Sequence, residues 1–427
     1  MIVICFVLMF LLMFVGMEIF VSMGVASAIY LLVSGNAPLN LISTNFVNGI
    51  SAYSLLAIPF FMLVGELMNY SGMTKRVINL AQFFVGSFKG GLAYAAVFVN
   101  MLIACISGSA PADCSAVSSV LIPEMKKEGY PDDFAASVNC CAAVLGPIIP
   151  PSIPMVFLAM LCNLSTGRLL IGGLIPGLLL TGSLLLVCYL RMRKMDLHIV
   201  KTKKTFADFW KLFKQAILAL LAPVIIVAGV FTGFVTITEV AILACAYVMV
   251  VGVFVYHTLS LSVLIDAFKK ATAFASSLMV LFGVVGIFSW FVAVEELPAK
   301  LYEIITMLNL SPMVFLLGVN ILLLLIGMIM DAIPAMSIFM PVLMPIAIEM
   351  GIDPIHFGVI VVVNLMLGLI TPPVGALLYV ECKISGVPFG RLSKQVVPFI
   401  VGFIIVLLLV TYLPQLSLML PNAVMGG

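Results

Sequence analysis

Gly146-Pro147-Ile148-Ile149-Pro150-Pro151 and Gly368-Leu369-Ile370-Thr371-Pro372-Pro373 lie inside apolar stretches and stand in one constant register, 146 with 368, 150 with 372 and 151 with 373. The same offset links Pro123 to Pro345 and Gly129 to Gly351, so the helix breakers stay in register over about thirty residues. Each proline removes a backbone donor and clashes with the preceding turn. In hydrocarbon the freed carbonyls need partners, so such breaks persist only where protein or a water-filled cavity meets them. A repeated pair of broken apolar helices is the sequence mark of a secondary transporter's binding site.

Composition agrees. Of 427 residues, 64% are hydrophobic and 9% charged, with a mean hydropathy of +1.30. Soluble domains carry about 25% charge, so this is a polytopic membrane protein. The net charge of +2 and the lack of aromatic-basic interleaving give no indication of nucleic-acid binding. The nine cysteines have no metal-ligand spacing with the three histidines and read as small buried hydrophobes. The first basic residue is Lys75, so no cleaved signal peptide is expected and residues 2–16 read as a retained first span.

Further apolar runs near 18–35, 54–71, 169–190, 216–233, 237–257, 271–293 and 395–418 are candidate spans. Some fall short of the roughly 20 residues that a hydrocarbon core demands. Residues 36–53 are more polar and suit an arm along the interface. Between Gly91 and Pro123 the apolar run is interrupted by Ser107-Gly108-Ser109-Ala110-Pro111-Ala112-Asp113. Neither half spans comfortably alone, and a re-entrant helical hairpin with a buried tip fits better. Residues 313–349 repeat the design, with the interruption at Met330–Ser337.

Basic clusters at Lys75, Arg76 and Lys89, at Lys126 and Lys127, across 191–214, at Lys269 and Lys270, and at Lys383, Arg391 and Lys394 set the orientation. All fall on one side, the cytoplasm, if each hairpin returns to the side it entered. The first hairpin then opens to that side. The second, flanked by Glu295, Glu296, Glu303 and Glu349, opens to the other. The expected architecture is an all-α, inverted-repeat membrane protein whose halves are joined by a basic, solvated loop at 191–214.

These stretches resemble the large membrane subunit, the DctM family, of tripartite ATP-independent periplasmic (TRAP) transporters. The resemblance rests on Ile58-Pro59-Phe60-Phe61-Met62-Leu63-Val64-Gly65-Glu66-Leu67-Met68-Asn69, Ile106–Ala110 with Asp113, Ile122–Tyr130 and Gly146–Pro154. In the second half it rests on Gly327–Asp331, Gly351–Pro354 with His356–Val359, and Gly368–Gly375. It covers essentially the whole chain in order and is nearest to the sialic-acid (SiaM-like) type.

The resemblance implies an elevator-type transporter of the bacterial inner membrane. Two hairpins and two broken helices would slide against a scaffold. Uptake of an organic anion, sialic acid first and C4-dicarboxylates next, would be driven by sodium, in two or more ions. Expected partners are a small four-helix membrane subunit (DctQ type) and a soluble periplasmic substrate-binding protein (DctP type). The division that follows is scaffold helices and arm at 1–90, then a first transport half at 91–168 (hairpin 91–123, broken helix 134–163). Scaffold helices and linker fill 169–270, and 271–312 leads to a second transport half at 313–383 (hairpin 313–349, broken helix 355–383). The last scaffold helix is 384–427.

Sodium takes oxygen ligands, and transporter sites draw them from unwound carbonyls and helix C-terminal ends. Within the resemblance, the expected ligands are Ser107, Ser109, Gly146 and Ile149 in one half and Gly327, Gly368, Thr371 and Val374 in the other. An anion would lie between the tips, held by half-helix N-termini, with Ser109, Asp113, Ser152, Ser165, Asp331 and Ser337 as candidate contacts. Asp113 and Asp331 each follow a tip; either shapes a functional site or caps the second half-helix. Asn139 and Asn364 either brace the hairpin tips or make ordinary interhelical hydrogen bonds, while Pro150, Pro151, Pro372 and Pro373 shape the breaks. Glu66 reads as an interfacial contact, His356 as structural, and Trp210 and Trp290 as interfacial anchors.

Two rival readings remain: a stand-alone carrier of the same superfamily, and an intramembrane aspartyl protease built on Asp113 and Asp331. Against the second, no Gly-x-Gly-Asp stretch accompanies either residue. The chain also lacks a Gly-Lys-Ser/Thr phosphate loop, so ATP is not expected to drive it. No enzymatic activity is expected.

Overall fold

The computed structural model describes residues 2–34, 40–51, 53–85, 90–193, 195, 205–232 and 235–426. Among them every regular element is a helix. The first half runs α1 (Ile2–Phe14), α2 (Ile19–Ser34), α3 (Asn40–Ile50), α4 (Ala57–Tyr70), α5 (Met73–Val85), α6 (Gly91–Ser107), α7 (Ala110–Lys127), α8 (Asp132–Ala143), α9 (Ile153–Leu161), α10 (Thr166–Gly172) and α11 (Leu174–Met192). The second runs α12 (Phe206–Thr232), α13 (Ile237–Val250), α14 (Leu261–Val294), α15 (Leu297–Met307), α16 (Pro312–Gly327), α17 (Ala332–Glu349), α18 (Pro354–Gly368), α19 (Ala376–Ser385), α20 (Phe389–Tyr412) and α21 (Gln415–Met425). Among the described residues, six segments are long and apolar enough to cross a membrane: 166–192, 207–232, 237–255, 261–294, 332–349 and 389–412.

The repeat offset reaches down to single hydrogen bonds. Helix α17 begins and ends at the positions that the offset assigns to α7, Ala332 for Ala110 and Glu349 for Lys127. At the end of α7, Gly129 turns left-handed (φ +84°) and Tyr130 N–H donates to Met125 O at 3.1 Å. At the end of α17, Gly351 (φ +76°) and the Ile352 N–H to Ala347 O bond of 3.0 Å repeat that closure. This is a Schellman-type cap, and glycine takes its left-handed position because a Cβ is penalised there. Helices α8 and α18 start in the same register, Asp132 with Pro354, and the peptide bonds Pro150-Pro151 and Pro372-Pro373 are both cis.

Pro123 and Pro345, expected as breakers, instead lie inside α7 and α17. A helix tolerates an interior proline where neighbours compensate for the lost bond, and of the prolines linked by the offset only the Pro-Pro pairs fall in actual interruptions. The first hairpin's second helix therefore continues past 123 to Lys127.

Helix α14 is longer than the expected span 271–293. Its 34 residues reach roughly 50 Å at 1.5 Å per residue, more than a 30 Å core. Lys269 and Lys270 are thus helical, and the expected boundary between 270 and 271 falls inside α14. The last span begins at Phe389 and ends at Tyr412, before Pro414, rather than covering 395–418. The basic segment is not wholly a loop either: 194 and 196–204 lie outside the described residues, but Lys211 and Lys214 occupy the first turns of α12.

The polar arm forms α3 and docks on α14 through glycines. A Cβ on Gly49 would overlap Phe282 O, and one on Gly286 would come within 2.5 Å of Asn45 O. Small residues let helix backbones approach this closely.

Candidate functional site

Helices α6 and α7 form a helical hairpin that turns at Gly108. Gly108 has φ +58°, and a Cβ there would lie 2.8 Å from Pro151 O and 3.1 Å from Ile153 N. The hairpin tip therefore rests backbone-on-backbone against the interruption between α8 and α9. In the first turn of α7, the carboxylate of Asp113 lies on Gly146, where a Cβ would overlap Oδ2. Ser152 caps α9: its Oγ accepts from Met155 N–H at 3.1 Å and donates to Pro147 O. The whole stretch 144–153 is buried, including the side chain of Ile149.

The second half repeats this contact with different atoms. Gly327 ends α16 and Gly368 ends α18; a Cβ on Gly368 would come within 2.6 Å of Gly327 Cα. Gly375 N–H donates to Met328 O at 3.0 Å and so ties the second tip to the second interruption. Gly375 itself is left-handed (φ +54°); a Cβ there would lie 3.1 Å from Thr371 O and 3.2 Å from Leu369 O. Carbonyl oxygens thus converge on one bare glycine, and Thr371 adds a hydroxyl whose proton is donated to Leu367 O at 2.7 Å. This is an oxygen-rich donor set of the kind a hard monovalent cation takes. Among the described residues no group of three or more His, Cys, Asp or Glu is arranged to hold a metal ion. The second interruption is also more open: Thr371, Pro372 and Val374 are half-buried and Pro373 is exposed.

The remaining sequence candidates divide. Ser109 and Asp331 occupy equivalent N-cap positions of α7 and α17, and Asp331 Oδ1 accepts from Ala332 N–H at 2.7 Å. Asp113 is not the cap of α7, because Ser109 takes that position and Asp113 falls in the first turn. The two aspartates are therefore not equivalent, and each carboxylate is engaged within its own repeat. Ser337 is buried and bonded to Ile333 O at 2.8 Å. Ser165 does not join the tips: it caps α10, beyond the far end of α9 from the interruption. The side chain of Ser107 lies outside the described residues.

Neither asparagine reaches a tip. Asn139 Nδ2 donates to Ala135 O at 3.0 Å, and Met125 Sδ lies 3.7 Å away, near the opposite end of α7. Asn364 Nδ2 donates to Asn320 O and Oδ1 at 2.9 and 2.7 Å, and Asn320 Nδ2 donates to Thr411 Oγ1 at 2.9 Å. That chain of bonds joins α18, α16 and α20 inside the membrane. His356 is buried between Ser417 Oγ (2.6 Å) and Thr411 O (3.2 Å), a structural placement.

Two cavities flank the hairpins. One of about 660 Å³ opens between the α1–α2 connection, α14 and the second tip; its acidic side chains are Glu18 and Asp331. The other, about 500 Å³, opens between α4, α5, α14 and the outer face of α7 and includes Glu66, Lys75 and Lys270. Glu66, read from sequence as an interfacial contact, instead pairs with Lys270 Nζ at 3.5 Å. A further carboxylate lies deep in the hairpin packing. Glu381 on α19 is fully buried and accepts from Ser118 Oγ at 2.7 Å and Cys114 Sγ at 2.9 Å, both on α7. Sequence spacing carries no signal for either pairing, since the partners lie in opposite halves of the chain.

Residues 6–416 match the family described as "Tripartite ATP-independent periplasmic transporter, DctM component". The chain is 36% identical over 415 residues to the sialic acid TRAP transporter large permease protein SiaM of Vibrio cholerae, covering 97% of each. It is 39% identical over 401 residues to the C4-dicarboxylate TRAP transporter large permease protein DctM of Pseudomonas aeruginosa, covering 94% of each. Among solved structures, the YdaH transporter of Alcanivorax borkumensis superimposes with a TM-score of 0.63 at 18% identity, over 87% of this chain and 86% of that one.

Proposed function

The chain belongs to the DctM family of TRAP large permeases, multi-pass proteins of the bacterial inner membrane, and we propose that it carries a carboxylate-bearing organic anion inward together with sodium by an elevator movement. One observation supports the moving part of this reading. In each repeat the interrupted helix is fastened to its own hairpin through a bare glycine, Gly146 under Asp113 and Gly368 against Gly327. Hairpin and broken helix thus form a unit, while the open volumes lie between the hairpins and α1, α2, α4, α5 and α14. A unit fastened within itself, with open volume along part of its border, is suited to move as one body.

Sodium is assigned to the oxygen-rich interruptions. In the second half the ligands are the carbonyls near Gly375 with Thr371; in the first they come from the contact of Gly108 with the segment Gly146–Pro151. The substrate's carboxylate is assigned to the space between hairpins and surrounding helices. The two relatives above are named for sialic acid and for C4-dicarboxylates, which share the carboxylate. Sialic acid is tested first. A small membrane subunit and a periplasmic binding protein complete the assembly, as in the family.

The test is uptake of labelled sialic acid into proteoliposomes containing this chain with its small subunit, with and without inward sodium and the binding protein. Uptake requiring both supports the full reading. Uptake without the binding protein replaces it with a stand-alone carrier, and uptake of C4-dicarboxylates alone changes only the substrate. Sodium-independent uptake removes the coupling.

A further inference from the structure

The 500 Å³ cavity beside the first hairpin has a charge pattern that its counterpart lacks. Lys270 of α14 and Lys75 of α5 contribute two cations, with Asn69 and Tyr70 of α4 and Ser115 of α7 beside them. The cavity at the second tip contributes Glu18 and Asp331 and neither lysine nor arginine. An anion entering the gap between hairpins and surrounding helices is attracted to the first and repelled by the second.

The geometry of Lys270 is that of an occupied anion site. Its Nζ lies 3.5 Å from Glu66 Oε2 and 4.9 Å from the centre of the Tyr70 ring. Thr74 Oγ1 donates to Asn69 Oδ1 at 2.7 Å, which fixes that amide at the cavity wall. No ion pair to Lys75 is present among the described residues. Across the gap α7 presents Ala112, Ser115 and Ala116, which share a face at i, i+3 and i+4. Their small size keeps the volume open. Lys270 is more than half exposed and Glu66 about one-fifth, so an incoming ligand reaches the pair.

We propose that this cavity is a carboxylate subsite on the transport path, in which the Glu66 carboxylate holds Lys270 when substrate is absent and the substrate's carboxylate replaces it. The inference rests on the anion-transport reading above. Tyr70 and Lys75 border the exchanged carboxylate, and Asn69 and Ser115 offer hydrogen bonds to its neighbouring polar groups. Glu66 thereby becomes a competitor built into the chain, and its removal tightens substrate binding.

The experiment compares Lys270→Met, Lys270→Arg and Glu66→Gln with the unaltered chain in the reconstituted assembly, reading KM and Vmax for sialic acid and for C4-dicarboxylates. Lys270→Met is expected to raise KM about tenfold, the scale of losing one charge-assisted bond, and Lys270→Arg to restore it. Glu66→Gln is expected to lower KM by roughly three-fold. A merely structural ion pair predicts the same direction for both losses, so a raised KM in Glu66→Gln overturns the proposal. An unchanged KM in Lys270→Met also overturns it. If Lys270→Met fails to fold, the sign of the Glu66→Gln shift alone decides. Failure of the unaltered chain to transport either anion refutes the anion-transport reading itself, and is thereby distinguished from failure of the subsite.

Discussion

The carboxylate of Asp113 lies directly on the bare Cα of Gly146, joining the first turn of α7 to the start of the interruption that follows α8. Gly146→Ala would push its methyl group into Oδ2. The obstacle is the end of a short side chain, so the expected cost is about 1 kcal/mol, the low end of overpacking. Asp113→Ala combined with Gly146→Ala is expected to lose less than the sum of the single changes. Thermal unfolding of the four purified proteins in one detergent measures this; strict additivity would show that the two residues do not touch.

Gly368 meets backbone instead. A Cβ there comes within 2.6 Å of Gly327 Cα, and backbone cannot swing away. Gly368→Ala is expected to cost about 3 kcal/mol, the upper end of overpacking. It should therefore lower the melting temperature more than Gly146→Ala does, and a reversed order would contradict the packing described.

Glu381 receives Ser118 and Cys114 on one oxygen, and among the described residues no lysine or arginine pairs with it. Burying a carboxylate without a counter-charge costs free energy that a neutral side chain of the same shape does not. Glu381→Gln, which keeps an acceptor and no charge, is expected to melt close to the unaltered protein. Glu381→Leu strands both donors and is expected to cost about 2 kcal/mol. A Gln variant less stable than the Leu variant would show that the ionised form is needed.

Asn364→Leu removes the donor to Asn320 and loosens the link from α18 through α16 to α20. Interhelical hydrogen bonds in membranes average about 0.6 kcal/mol each, so the expected loss is about 1 kcal/mol. Thr411→Val should give a similar loss and be less than additive with it, as measured by the same unfolding assay.

The repeat, the membrane character and the paired interruptions were legible in the sequence because each is written in local chemistry. Glycine and proline act on their own turn of chain, and hydropathy is a property of the segment itself. Boundaries were less legible where propensity and context disagree. Pro123 and Pro345 stay within helices because packing compensates for their missing donors, and α14 runs on through Lys269 and Lys270 beyond the apolar stretch that announced it. For the asparagines the sequence left two partners open, a hairpin tip or an ordinary interhelical hydrogen bond; Asn364 makes the second and Asn139 bonds within α8. Spacing along a helix fixes a face, not the neighbour that the face meets.

By itself, then, the chain determined that it would be helical, membrane-embedded, internally repeated and broken at two corresponding places. Only the tertiary structure decided which residues meet there. Asp113 and Asp331 look alike in sequence, yet one lies on Gly146 and the other caps α17. Glu66 and Lys270 lie in opposite halves of the chain and become partners only when α4 packs on α14. The physical reason is range: backbone preference and hydropathy act within a few residues, whereas an ion pair or a bare glycine under a carboxylate exists only after distant helices have chosen their faces.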